Sequence, residues 1–231
     1  MASIIKLYGD FFSPFTIICL FTLHEKGLSF EHVDVKLFSH ETKRDLMNAK
    51  HPFGKVPILE DIDADGNITK VCGSCTHSRA ISRWLAVKHA SEGTALLPNF
   101  EDYKAIAQFE EAACFESSYL AASSVTYLKQ KVVHPKIGVP VDPGAMEESL
   151  HQVKANLQVF DRILSARQYL TGNNFSLIDV WSAIFIYSLL ETDPEFLQDL
   201  PSLASWWKSV SSRPAWQRTT AQIASRWEAM K

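Results

Sequence analysis

The sequence predicts two domains, a small α/β domain followed by an all-helical one. Over residues 1–88, short β-branched and aromatic runs alternate with helical patterns, whereas from residue 101 onward every apolar pattern has helical spacing. Residues 89–100 contain Gly93 and Pro98 and show no sustained period, which is typical of a linker. We therefore expect domains at residues 1–88 and 101–231, joined by a linker at residues 89–100.

The first half of the α/β domain has the pattern of a βαβ unit. Residues 4–8 form a short apolar run that ends at a Gly-Asp turn signal. Residues 15–23 have helical spacing and precede Gly27, a helix-stop signal, and residues 30–37 alternate as a second strand. Residues 39–47 are polar and charged, and we expect a short helix there.

Residues 51–85 have the pattern of a ββα unit. A strand follows Pro57, a hairpin rich in Asp, Gly and Asn follows that strand, and a helix begins near Ser78 with a Ser or Thr cap. The order βαβ then ββα is the thioredoxin-type topology, a mixed sheet covered on both faces. The sequence therefore predicts an α/β plus all-α protein, a thioredoxin-like domain followed by a helical bundle.

The ββα unit also has two features that suit an acidic peptide. Because Pro57 follows Val56 directly, Val56 has an outward N–H and C=O that can pair with an extended peptide backbone. The first turn of the helix near Ser78 offers unpaired N–H groups and the positive end of a dipole, which suit a carboxylate. A small acidic peptide is therefore the expected class of ligand.

The composition argues against several other classes of partner. The chain of 231 residues has a net charge of −3 with acids and bases interleaved, so we expect neither nucleic acid nor an anionic membrane. Four dispersed cysteines fit thiols in a reducing compartment, and Met1 leads almost directly into a strand pattern, so we expect a cytoplasmic protein. Cys72 and Cys75 form a Cys-x-x-Cys, but no second pair has zinc-ligand spacing, so we expect no metal.

Six segments of the chain resemble the cytosolic glutathione transferases, most closely the phi-like and fungal members. In chain order they read LYGDFFSPFT, LHEKGLSFEHVDV, HPFGKVPIL, HSRAISRWLA, YLTGNNFSLIDVWSA and PSLASWWKSVSSRPAWQ, and they extend over nearly the whole sequence. The resemblance implies glutathione as cosubstrate or cofactor, a homodimer, and a small-molecule electrophile whose pocket is shared with the helical domain.

The resemblance also implies which residues bind glutathione. Val56 would pair with the cysteinyl backbone beside a cis Pro57, and Ser78 with its helix N-terminus would bind the γ-glutamyl carboxylate. His77 stands where the family pattern ESRAI has an acid, so it can serve the α-amino group only as a single neutral acceptor.

Ser13 is the residue that the resemblance points to for catalysis. It occupies the slot between first strand and first helix where redox members of this fold have Cys-x-x-Cys, so the reactive sulfur must come from the ligand. A hydroxyl donor near a helix N-terminus lowers the pKa of a thiol from its ordinary value of roughly 8.5. We therefore predict that Ser13 donates to the glutathione sulfur. An ordinary helix cap is the alternative role, and Tyr8 and Thr16 are the competing hydroxyls.

Two lysines and several aromatic side chains complete the expected site. Lys43 and Lys55 lie where the family contacts the glycine carboxylate and the cysteinyl region of glutathione, and solvated surface charge is the alternative for both. Residues expected to line an apolar electrophile pocket are Phe12, Phe15, Phe115 and Tyr119. Core packing is the alternative for these aromatic residues.

Three functions fit this set of residues. Addition of the glutathione thiolate to an apolar electrophile with release of the adduct is conjugation, as in a glutathione S-transferase. Elimination of glutathione after bond rotation would instead give cis/trans isomerisation of a conjugated alkene, in natural-product biosynthesis. A non-catalytic binding or regulatory protein is the third hypothesis, and Ser13 argues against it.

Overall fold

The computed structural model describes residues 4–35, 50–73 and 78–228, with the backbone alone described for 225–228. The chain forms two compact units. The first runs to Ala95 and also includes the chain from Arg213 onward, and the second comprises Leu96–Ser212. The short helix expected at residues 39–47 lies outside the described residues.

The first unit contains a mixed β-sheet with the spatial order β2-β1-β3-β4 in the described part of the chain. The strands are β1 (Ile4–Gly9), β2 (Glu31–Asp34), β3 (Ile58–Ile62) and β4 (Ile68–Cys72). β1 pairs in parallel with β2 and antiparallel with β3, and β3 pairs antiparallel with β4. These pairings confirm the predicted thioredoxin-like topology.

Helices α1 (Pro14–Glu25) and α2 (Ser78–Lys88) pack against each other and against the sheet. Because side chains alternate along a strand, one face of the sheet contributes its apolar residues to the core with these helices. That core contains Ile5, Leu7, Cys19, Leu20, Leu23, Leu59, Ile81 and Leu85. A second buried cluster on the sheet contains Tyr8, Val35, Val56 and Ile58.

The last helix, α9 (Pro214–Glu228), packs on α1 and therefore belongs to the first unit, which differs from the domain boundaries expected from the sequence. The Trp216 ring meets the Phe21 ring edge to face, with 5.0 Å between centroids. The Trp216 side chain is buried and therefore belongs to the packing between α9 and α1. Helical spacing identifies α9 as a helix, but it carries no information about which helix buries its apolar face.

The second unit is helical. Its elements are α3 (Tyr103–Phe115), a π-helical segment (Glu116–Ala121), α4 (Ala122–Leu128), a second π-helical segment (Lys129–Val133), α5 (His134–Lys136), α6 (Pro143–Leu164), α7 (Leu177–Thr192), a 3₁₀ turn (Pro194–Leu197) and α8 (Pro201–Ser211). Helical elements thus follow one another from Tyr103 to Lys136. Pro135 lies in the first turn of α5, the position where a missing N–H costs least.

Helix α7 forms the centre of the second unit, and its residues from Leu177 to Ile186 are all buried. A helix that is apolar on every side is stable only when neighbours surround it. Ser176 and Asp179 form a capping box at its N-terminus. Within the described residues, no helix is both long enough and apolar enough to cross a membrane.

Candidate active site

Ser13 lies at the N-terminus of α1, and its side chain does not cap that helix. Its backbone holds the loop in place, since its N–H donates to the Asp10 carbonyl at 2.9 Å and its carbonyl accepts from the N–H of Thr16 at 3.0 Å. The hydroxyl makes no capping hydrogen bond to the first turn, although the residue is only 6% exposed. The helix-cap alternative therefore has no support, and the hydroxyl is left as a donor at the positive end of α1.

A close approach between β1 and α1 fixes the backbone on either side of Ser13. A Cβ atom on Gly9 would lie 2.5 Å from Thr16 Oγ1, so only glycine fits at the end of β1. Thr16 itself is fully buried, and its Oγ1 has no hydrogen-bond partner in the residues that the structure describes. Since that oxygen faces the backbone of Gly9, Thr16 is poorly placed to reach a ligand.

The aromatic residues beside Ser13 differ in their packing. Phe11 stacks on His32, with 4.1 Å between ring centroids and an interplanar angle of 15°, and it also packs against the core of the first unit. Phe12 and Phe15 are half-buried. Phe11 is therefore a packing residue, whereas Phe12 and Phe15 retain exposed surface next to the serine.

The Val56–Pro57 peptide bond is cis, as the resemblance implies. Val56 is buried, and its N–H and C=O make no backbone hydrogen bond to another described residue. The Pro57 carbonyl accepts from the Gly73 N–H at 2.7 Å, which ties this turn to the end of β4. Val56 thus presents an unpaired backbone edge, while the neighbouring Lys55 is exposed.

Ser78 begins α2, and its side chain is fully buried. Its Oγ has no hydrogen-bond partner among the described residues, whereas its carbonyl accepts from Ser82 Oγ at 3.2 Å and Cys19 Sγ at 3.7 Å. An unpaired buried hydroxyl at a helix N-terminus has the chemistry to receive a carboxylate. The other two residues predicted here, Lys43 and His77, lie outside the described residues.

A buried polar network on β1 and β3 was missed by the sequence reasoning. Tyr8 Oη donates to Glu60 Oε2 at 2.6 Å, and Lys50 Nζ donates to Glu60 Oε1 at 2.5 Å. Burial raises the pKa of Tyr8, and its hydrogen bond to Glu60 raises it further. Tyr8 is therefore a neutral donor committed to Glu60, which argues against it as the catalytic hydroxyl. The available sequence signal was the alternation of side chains along β1 and β3, because every second residue of a strand lies on the same face of the sheet.

Phe115 and Tyr119 lie in the second unit, at the end of α3 and in the following π-helical segment. Their ring centroids are 6.3 Å apart, and Tyr119 is 54% exposed. The Asn156 side chain on α6 donates to the Tyr119 carbonyl and to Ser123 Oγ, both at 3.1 Å. Asn156 therefore supports the irregular helical turn that holds Tyr119, a contact that the sequence did not predict.

The described part of the chain contains no group of three or more His, Cys, Asp or Glu side chains arranged to hold a metal ion. Cys72 Sγ donates to the Lys50 carbonyl at 3.4 Å, and Cys75 lies outside the described residues. Cys19 is fully buried, and burial raises the pKa of its thiol well above its ordinary value. None of the described thiols lies in the loop of Ser13.

Comparison with known protein families and structures gives consistent matches along the chain. Residues 7–93 match the family model described as "Glutathione S-transferase, N-terminal domain", and residues 115–214 match "Glutathione S-transferase, C-terminal domain". Glutathione S-transferase 3 from Zea mays is 33% identical over 95% of this chain and 94% of its own length. Glutathione S-transferase hmp2 from Hypomyces subiculosus is 32% identical over 95% of this chain and 99% of its own.

A solved structure extends these matches to three dimensions. The structure of glutathione S-transferase-I bound with lactoylglutathione superposes with a TM-score of 0.81 at 27% identity, covering 94% of this chain and 98% of that one. The two family models together cover most of the sequence, and the relatives match along nearly their whole length. The chain is therefore an enzyme of the glutathione S-transferase family.

Proposed function

We propose that this enzyme binds glutathione and promotes addition of its thiolate to a small apolar electrophile. The observation that supports this most directly is the Ser13 hydroxyl, which lies at the N-terminus of α1 and makes no hydrogen bond to the helix it precedes. A donor that the fold itself does not use remains for a ligand atom. An anionic sulfur is the acceptor best matched to a hydroxyl at the positive end of a helix.

The chemistry follows from the thiol of glutathione. An ordinary thiol with a pKa of roughly 8.5 is mostly protonated at neutral pH, and a fall of about two units would make it largely anionic. The thiolate then attacks an electron-poor carbon and forms a C–S bond. The displaced electron pair leaves with a halide, or moves onto the carbon beside an electron-withdrawing group, which takes a proton from solvent. Ser13 acts as hydrogen-bond donor throughout and forms no covalent bond.

Two further features of the first unit support glutathione as the ligand. The unpaired N–H and C=O of Val56 suit the cysteinyl backbone, and the buried Ser78 hydroxyl suits the γ-glutamyl carboxylate. A relative's structure contains lactoylglutathione, a derivative of the same tripeptide. Contacts from Lys43, Lys55 and His77 remain proposals based on the family resemblance.

The electrophile is proposed to contact the aromatic side chains beside Ser13. Phe12 and Phe15 are half-buried and flank the serine, so they offer an apolar surface next to the expected position of the sulfur. That Phe115 and Tyr119 also line the electrophile pocket is a prediction from the family resemblance. An activated aryl halide and a conjugated alkenone are suitable probes, because both have an electron-poor carbon on an apolar frame.

We also propose that the chain forms a homodimer, as the family resemblance implies. Phe53 supports this, since the residue is 77% exposed in the turn that precedes Val56. Burial of a large aromatic side chain under a second protein surface is favourable, so an exposed ring of this kind is typical of an interface. Sedimentation velocity of the wild type and of Phe53→Ser tests this, and we expect a dimer that Phe53→Ser weakens.

The test of the proposed chemistry compares two hydroxyls in the same turn. Ser13→Ala should raise the pKa of enzyme-bound glutathione, measured by ultraviolet thiolate absorbance, and should lower kcat for the aryl halide by about 10²-fold. Thr16→Val removes a hydroxyl that has no partner among residues 4–35, 50–73 and 78–228, and it should leave both quantities unchanged. Unchanged turnover in Ser13→Ala, together with absent glutathione binding, would favour a non-catalytic protein.

Product analysis separates the two catalytic outcomes that share the thiolate addition. With isotopically labelled glutathione and a conjugated cis-alkene, label in the product indicates conjugation. An unlabelled trans product with glutathione recovered intact indicates isomerisation instead.

A further inference from the structure

His51 is a buried histidine whose two ring nitrogens are both hydrogen-bonded, and the proposed chemistry does not use it. Its Nε2 lies 2.8 Å from the Gly73 carbonyl oxygen, and the Phe53 N–H lies 3.0 Å from its Nδ1. Because Nδ1 accepts from a backbone N–H, the ring proton resides on Nε2 and is donated to Gly73. His51 therefore connects the turn before Val56 to the end of β4, 22 residues away in the chain.

Gly73 in turn lies against Pro57 with no room for a side chain. Its N–H donates to the Pro57 carbonyl at 2.7 Å. A Cβ atom on Gly73 would lie 2.9 Å from both Cγ and the carbonyl oxygen of Pro57, and 3.0 Å from Ile81 Cδ1 on α2. The Gly73 peptide is thus held between the cis-proline turn and α2, so a shift of its carbonyl would move Pro57 directly.

From these contacts we infer that His51 is a positioning residue that acts through Gly73 to fix the backbone edge of Val56. The inference rests on the proposed function, since that edge is where glutathione's cysteinyl backbone would pair. His51 does not itself contact the ligand. Its expected contribution is to the affinity for glutathione, while the reaction of bound glutathione depends on Ser13.

Two amide substitutions separate the two hydrogen bonds of His51. The side-chain amide nitrogen of His51→Gln can replace Nε2 as the donor to Gly73, but this variant loses the acceptor for the Phe53 N–H. The side-chain oxygen of His51→Asn can replace Nδ1 as that acceptor, but the shorter side chain does not reach Gly73. Each variant therefore keeps one bond, and loss of one hydrogen bond should lower stability to a similar extent in both.

The KM for glutathione and the kcat of the two variants show whether His51 positions the Val56 edge or only stabilises the fold. We expect His51→Asn to raise the KM for glutathione about 5–10-fold, with kcat at saturating glutathione within about twofold of the wild type. We expect the KM of His51→Gln to stay within about twofold of the wild type. Equal KM values in two variants of equal thermal stability would overturn the inference.

Calorimetric titration of the wild type with glutathione distinguishes the two possible failures. If the wild type does not bind glutathione, the proposed function fails and this inference fails with it. If it binds and the two variants do not differ, only the role of His51 fails. Should His51→Asn not fold, the ring ¹⁵N shifts of the wild type provide the second test. An Nε2–H tautomer is expected, and an Nδ1–H tautomer would overturn the inference.

Discussion

Arg213 and Glu25, 188 residues apart in the chain, form a two-point ion pair within the first unit. Arg213 Nε donates to Glu25 Oε1 at 2.6 Å, and its Nη2 donates to Oε2 at 2.7 Å. Thr94 Oγ1 also donates to Oε2 at 2.6 Å, and the Thr94 N–H donates to the Glu25 carbonyl at 2.9 Å. The end of α1, the segment around Thr94 and the start of α9 are therefore joined at one carboxylate.

Arg213→Met should destabilise the first unit because it leaves the Glu25 carboxylate buried and without its cationic partner. The Glu25 side chain is only 3% exposed, and removing one partner of a buried pair costs about 3 kcal/mol. Urea unfolding measures this loss. Arg218→Met is the matched control on α9: Arg218 is exposed and donates to the His24 carbonyl, so we expect a loss under about 1 kcal/mol. If both variants lost the same free energy of unfolding, the ion pair between Arg213 and Glu25 would not be the source of the stability.

Asp179→Ala should destabilise the second unit more than loss of an ordinary helix cap. Its buried carboxylate accepts from the backbone N–H groups of Leu170 and Ser176, from Ser176 Oγ and from Trp206 Nε1. Removal leaves several buried donors unsatisfied, so we expect a loss of about 3 kcal/mol.

Asp142→Ala provides the comparison for Asp179. Asp142 caps α6 through one hydrogen bond, from the Ala145 N–H at 3.1 Å, and it is exposed. Its loss should cost about 1 kcal/mol, as for a typical cap. Thermal unfolding of both variants checks the difference, and similar melting temperatures would refute it.

Glu60 should make the stability of the enzyme depend on pH in the acid range. Burial pushes the pKa of Glu60 upward, but the hydrogen bonds from Lys50 and Tyr8 outweigh burial and hold the pKa below its ordinary value. The unfolded chain therefore takes up this proton at a higher pH than the folded chain. Glu60's contribution is present above the ordinary pKa of 4.5, and it is lost as pH falls through the lower folded value.

Glu60→Gln tests this dependence because the amide does not ionise in that range. Relative to the wild type, the variant should be less stable by about 1–2 kcal/mol near neutral pH. The two proteins should converge as the pH falls below the folded pKa of Glu60. Urea unfolding across the acid range measures both curves, and a constant offset at every pH would show that the carboxylate is not responsible.

Tyr8→Phe separates the sheet network from catalysis. Tyr8 Oη donates to Glu60, so its removal should lower stability by about 1 kcal/mol. Because this hydroxyl is committed to a buried carboxylate, kcat for an activated aryl halide should stay within about twofold of the wild type. A fall comparable to that expected of Ser13→Ala would instead identify Tyr8 as the donor to the sulfur.

Local sequence signals account for what could be predicted of this fold. Strands and helix starts depend on residues close together in the chain, and the thioredoxin-like order of strands and helices was predicted correctly from them. The pairing of Glu25 with Arg213 was not predictable, because it joins segments whose proximity depends on the completed tertiary structure. The same reason applies to the packing of α9 on α1, which the helical spacing of α9 did not indicate.

The candidate site likewise contains some residues that a local sequence signal indicates and one that no such signal indicates. Ser13, Val56 and Ser78 lie at element ends, where a serine before a helix or a proline before a strand is a visible signal. His51 gave no such signal. Its importance comes from Gly73 being next to it in space, which a periodicity along the chain cannot indicate.

Ser78→Ala should weaken glutathione binding without a comparable loss of stability. The Ser78 hydroxyl is buried and has no partner within the described part of the chain, so the folded apoenzyme loses little when it is removed. A hydrogen bond to a charged carboxylate contributes about 1.5–3 kcal/mol, which corresponds to roughly a 10–150-fold increase in Kd for glutathione. Isothermal titration calorimetry measures this change.

Ser82→Ala is the matched control one turn along α2. Ser82 Oγ donates to the Ser78 carbonyl at 3.2 Å and lies 3.1 Å from Thr22 Oγ1, so this hydroxyl contacts both α1 and α2. Its removal should lower the melting temperature and leave the Kd for glutathione within about twofold of the wild type. The opposite pattern, with Ser82→Ala losing affinity and Ser78→Ala losing only stability, would mean that the γ-glutamyl carboxylate binds elsewhere than the N-terminus of α2.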